Sequence, residues 1–79
     1  MAIPAFLNPA TIQMVGSTVV YLIQTGKLVG SEIAGLVKAL MHRHDPALSD
    51  EQLDVAAQAI EDRAEVREAL SLAEAGGQA

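Results

Sequence analysis

The chain contains no cysteine and no tryptophan, and its aromatic residues are one phenylalanine and one tyrosine, Phe6 and Tyr21. Without cysteine there can be no disulfide, thiolate zinc site, iron–sulfur cluster or cysteine nucleophile. With aromatics at 3% of residues, the core has to be built from Ala, Val, Ile and Leu. Fourteen alanines favour helix over strand. Basic residues are also scarce, five Lys and Arg against ten Asp and Glu. No basic footprint for a phosphate backbone exists, so direct nucleic-acid binding is not expected.

What is present is an apolar, acidic chain of 79 residues, 51% hydrophobic, with a net charge of −5. That length makes one small domain. A domain this small hides only about 60% of its unfolded surface and is marginally stable without help. Disulfides being excluded, the help should come from a second copy or another protein.

Charge is segregated along the chain. Residues 1–26 carry none. Lys27, Glu32, Lys38 and Arg43 give a net +2 up to His44, and the chain from Asp45 onward carries −7. The uncharged stretch raises the question of a membrane. Ala10–Ile23 is its most apolar part, but it holds Thr11, Gln13, Ser17 and Thr18 and is closed by Gln24. A spanning helix needs about 20 mostly apolar residues. No transmembrane span is expected, nor a secretory leader, since no basic segment precedes the apolar one. A cytoplasmic location follows as the expectation.

The pattern predicts an all-α bundle in a single domain over residues 1–79. It has three helices, at about 9–25, 31–44 and 49–74, or four if the last breaks near Asp62. Residues 1–7 read as an extended apolar arm, because Pro4 disfavours helix. Residues 76–79 read as a frayed tail. Asn8-Pro9 is a strong helix start, a capping side chain followed by proline at the first position. Leu7 and Ile12 are placed as a hydrophobic staple. Ile12, Val15, Gly16, Val19, Leu22 and Ile23 share one helical stripe, and Gly26 is the stop. The β-branched run Ser17–Gln24 is the competing signal for a strand.

The turn Thr25–Gly30 carries Leu28 and Val29. Ser31 should cap the second helix, whose stripe is Ile33, Leu36, Val37, Leu40 and Met41. Ser49 and Gln52 form a capping box for the third, with Leu48 and Leu53 as staple. Its stripe of Leu53, Ala56, Ala57, Ile60 and Ala64 then loses phase. Val66, Ala69, Leu70 and Ala73 form a second stripe on the opposite side of an unbroken helix. Either the helix breaks, with Asp62 capping a fourth helix and Glu65 completing its box, or a continuous helix offers a second apolar face to another chain.

Candidate chemistry is thin. His42 and His44 are two residues apart, so on a helix they point about 200° from each other and cannot readily share a metal. They read as cations complementing a helix C-terminus. The carboxylates fall on helical ridges, Asp54, Gln58 and Asp62 on one, Glu61, Glu65 and Glu68 on another, as on solvated faces. Gly16, Gly26, Gly30 and Gly35 form no phosphate loop, and Leu48-Ser49-Asp50 is the reverse of a carrier-protein attachment motif. No catalytic residue, cofactor or metal is expected.

The remaining signal is surface. Met14 and Tyr21 lie near the polar side of the first helix, and both residue types are enriched at interfaces. Val66, Leu70 and Ala73 make the out-of-phase stripe, with Arg63 and Arg67 set to supply directional contacts. These seven residues are the candidate partner interface. The expected function is a non-enzymatic protein–protein interaction module, a small acidic adaptor, inhibitor or regulator of the viral or bacterial accessory type. It would dock apolar helix faces on another protein or on itself as a homo-oligomer. The alternative is a structural subunit of a virion or filament, with the uncharged N-terminal part buried between copies.

Overall fold

Asn8 opens the first helix by chemistry written in its side chain. In the computed structural model, which describes residues 4–76, Asn8 Oδ1 accepts a hydrogen bond of 2.8 Å from the Ala10 amide. Pro9 takes the first helical position, where its missing N–H leaves no bond unmade. Helix α1 is Pro9–Gln24. The β-branched run stays helical because Val15, Val19 and Ile23 recur on the buried side. The helix ends as the sequence predicts. The Lys27 amide donates to the Leu22 carbonyl at 2.9 Å and the Gly26 amide to Ile23 at 3.1 Å. That double closure needs a left-handed residue, and Gly26 supplies it at φ 74°.

The segment before α1 is not extended. The Leu7 amide turns back to the Pro4 carbonyl at 3.0 Å. The turn tucks Leu7 into the core and leaves Phe6 at the surface. The first three residues of the expected arm and Gly77–Ala79 of the expected tail lie outside the described residues.

The start of the second helix also departs from expectation. Gly30–Glu32 forms one 3₁₀ turn before α2, Ile33–His44. Ser31 caps nothing. Instead the Glu32 carboxylate accepts from the Val29 amide at 3.1 Å, and the Glu32 amide donates to the Val29 carbonyl at 2.9 Å. The reciprocal pair closes the turn without a serine. Ile33, Val37 and Met41 are buried, and Leu36 and Leu40 flank them half-buried. Beyond the helix, Asp45 Oδ1 receives the Ala47 amide at 3.2 Å, folding the chain back at Pro46.

Helix α3, Asp50–Glu61, begins with the predicted box: Ser49 Oγ takes the Gln52 amide at 3.2 Å and Gln52 Oε1 takes the Ser49 amide at 2.9 Å. Leu53, Ala56, Ala57 and Ile60 face inward. The helix then breaks, giving a fourth, α4, at Ala64–Ala75. The break is where the phase change placed it, but its chemistry differs. Asp62 is still in helical conformation and accepts from Gln58 Nε2 at 2.9 Å. Arg63 is the single extended residue, at ψ 138°, and no side chain caps α4. Glu65 pairs with the Arg63 guanidinium rather than with a capping amide. One extended residue reorients the helix so that Val66 and Ala69 meet the same core as Ile60. Burying such side chains stabilises by about 1.5–3 kcal/mol each for the larger ones, which offsets the missing cap.

Helices α2 and α3 make the most extensive pairing, an antiparallel hairpin across the Asp45–Ser49 loop. Helix α1 packs chiefly on α4 and next on α2. It runs alongside α4 in the same direction: Gly16 lies beneath Arg63, and Ile23 and Gln24 lie beside Ala69 and Ala73. Helix α3 touches α4 far less than it touches α2, so α4 leaves the hairpin to cover α1. No strand occurs among the described residues, and none of their helices is long and apolar enough to cross a membrane.

Candidate interaction surface

The outer face of α1 is built from Ala10, Gln13, Met14, Ser17, Thr18, Tyr21 and Gln24, all exposed. Met14 is 44% exposed and Tyr21 60%. Both point away from the stripe that α1 buries. Two hydroxyls on this side are turned onto the helix itself. Thr18 Oγ1 donates to the Met14 carbonyl at 3.1 Å, and Thr25 Oγ1 to the Tyr21 carbonyl at 3.0 Å. No side chain of the helix is charged. Along its buried flank, the Arg63–Glu65 ion pair lies over Gly16. The Cβ of an alanine at position 16 would sit 3.2 Å from Arg63 Cδ. The glycine therefore lets the arginine lie across α1.

The out-of-phase stripe of α4 divides in two. Val66 is 0% exposed and fills the chain's own core, as does Ala69. The expectation that Val66 faces a partner is corrected: the extended Arg63 turns it inward. Leu70 and Ala73 are half-buried against that core. They line a cleft of about 310 Å³ with Leu28, Val29 and Glu74, between the α1–α2 turn and α4. Arg67 is largely in solvent, 3.8 Å from Asp62. Arg63, being spent on α1 and Glu65, is only partly available. So the seven candidates do not form one surface. Met14 and Tyr21 belong to the α1 face, Leu70 and Ala73 to the cleft, and Val66 to the core.

Apolar side chains outside the candidate set are exposed as well. Leu72 is 63% exposed, and Val55 on α3 is also outward. Leu72 was legible, since it falls off the stripe set by Val66, Ala69 and Ala73. Val29, noted only as part of a turn, is half in solvent at the rim of the cleft.

The charged groups behave as a solvated surface. Lys38 on α2 pairs with Asp54 on α3. The hydrogen bond that Lys38 donates to Asp54, then the charge of Asp54, raises the Lys38 pKa above 10.5; Asp50 adds a little, and desolvation opposes. Both side chains are open to water, so the pair steadies the hairpin only weakly. His42, Arg43 and His44 are exposed on the last turn of α2, where the Arg43 guanidinium complements the helix dipole. Among the described residues no three His, Asp or Glu side chains are gathered to hold a metal. Compared with protein-family models, curated proteins and solved structures, the chain shows no match.

Proposed function

We propose that the protein is an interaction module that works by contact rather than by catalysis, a small acidic adaptor or regulator whose docking face is the outside of α1. One observation carries this reading. A helix that has already buried its apolar stripe also presents Met14 and Tyr21 to solvent, on a face with no charge at all. Outer helix faces of soluble proteins are normally charged, as α3 is with Asp50, Glu51 and Asp54. Charge depletion with exposed Met and Tyr is the composition of an interface centre. The polar side chains of the described residues lie at the surface, none of them buried, which suits a molecule that meets its partner by shape and hydrogen bonding.

The test is a photo-crosslinking amino acid placed at Tyr21, with the same group at Val55 on α3 as control. The expected result is efficient capture of a discrete protein species from Tyr21 and little from Val55. Equal capture from both positions, or none from Tyr21, overturns the assignment.

A further inference from the structure

We infer that the occupant of the α1 face is a second copy of this chain, packed α1 against α1 in antiparallel fashion about a two-fold axis. The inference rests on the reading of that face as a docking surface and adds its partner.

Three observations point to it. The first is charge. The molecule carries −5, and all of it lies outside residues 1–26. Two copies approaching through α3 or α4 bring like charges together. Approaching through α1 they bring none. The second is self-complementarity. A charged face needs a partner of opposite sign, whereas each amide and hydroxyl of Gln13, Ser17, Tyr21 and Gln24 both donates and accepts. Such a face can satisfy its own image across a two-fold axis.

The third is spacing. Ala10, Met14, Ser17, Tyr21 and Gln24 recur at alternating steps of four and three, the seam of two helices crossing at about 20°. Small and large residues alternate along the first four positions. An antiparallel pair centred between Met14 and Ser17 sets each Met14 against Ser17 of the other copy, and each Tyr21 against Ala10. Every large side chain then meets a small one. A parallel pair would set Tyr21 on Tyr21 and Met14 on Met14. A single seam of 16 residues is about 24 Å long, less than a standard interface needs, so the dimer dissociates on dilution.

The experiment uses the full chain, whose lack of cysteine makes introduced thiols unambiguous. Sedimentation over a micromolar-to-millimolar series should show the mass rising from one chain to two. Ser17→Glu should weaken the association at least tenfold with the circular-dichroism spectrum unchanged. Ser17→Cys should oxidise to a disulfide-linked dimer, the two positions lying close to the axis. Gln24→Cys should not, since antiparallel packing separates the two copies' residues by about 25 Å along the helices. A one-chain mass at all concentrations, or a dimer that survives Ser17→Glu, overturns the inference. Equal disulfide yield from Gln24→Cys overturns the antiparallel arrangement. If the chain stays single while Tyr21 still crosslinks a foreign protein, the second copy fails and the docking face stands.

Discussion

Helices α3 and α4 are both 12 residues long and are joined by only Asp62 and Arg63, yet they begin in opposite ways. The start of α3 is closed by side-chain hydrogen bonds in both directions between Ser49 and Gln52. The start of α4 has no capping side chain. One helix is begun by its own residues, the other by what it lands on. The difference separates two sources of helical order, local bonding at a terminus and burial of a stripe. It also identifies which substitutions should matter at each.

The largest effect should come from Val66→Asp. It places a carboxylate in the apolar core, at a position with 0% exposure, a cost of at least several kcal/mol. A small domain has about 5 kcal/mol in hand, so circular dichroism should show loss of the fold. A folded Val66→Asp chain would mean α4 does not depend on this contact.

Ser49→Ala is next. It removes the cap of α3 and should cost about 1 kcal/mol in urea unfolding. Asp62→Ala, at the other junction, should change stability by less than about 0.5 kcal/mol, because Asp62 caps nothing. Equal losses at the two sites would erase the contrast between the junctions.

Ala64→Pro sharpens it from the other side. Position 64 is the first residue of α4 and the residue before it is extended, the combination proline favours. The substitution should stabilise by about 0.4–1 kcal/mol, read as a higher melting temperature, by restricting the unfolded chain. In a continuous helix the same proline would cost about 3 kcal/mol, so the sign of the change reports the break directly.

The smallest effect concerns the hairpin that α3 shares with α2. The raised pKa of Lys38 means its pairing with Asp54 contributes fully from neutral pH up to 10.5. The contribution is lost as pH climbs through the raised value. A pH titration of the melting temperature should show a slight fall there that Lys38→Met abolishes.

How much of this was legible depends on the range of the interaction. Asn8-Pro9, Gly26 and the Ser49–Gln52 pair act within a few residues, and the sequence displays them in full. Ser31 misled because Glu32 offered a competing local closure, its carboxylate reaching back to the Val29 amide. The break near Asp62 was visible as a change of phase. The residue responsible was not, because Arg63 is extended in response to Val66 finding the core. That is a contact between distant helices, and no spacing rule carries it. The same gap hid the division of the α4 stripe between core and cleft. Met14 and Tyr21 stood out for the opposite reason: being off the stripe of a helix is a local property.

The pairing of α1 with α4 joins the two helices farthest apart in the sequence, and it has a consequence for aggregation. Charge on outer faces keeps partly opened helical proteins from adhering to one another. Helix α1 has none. While α4 is docked, only one of its sides is open and that side is polar or softly apolar. Once α4 lifts away at Arg63, the covering is gone from Ile23 and its neighbours, and α1 becomes a helix without a charge on any side. The docking of α4 therefore guards against aggregation: conditions that loosen it at the uncapped joint should precipitate this protein before they unfold its hairpin.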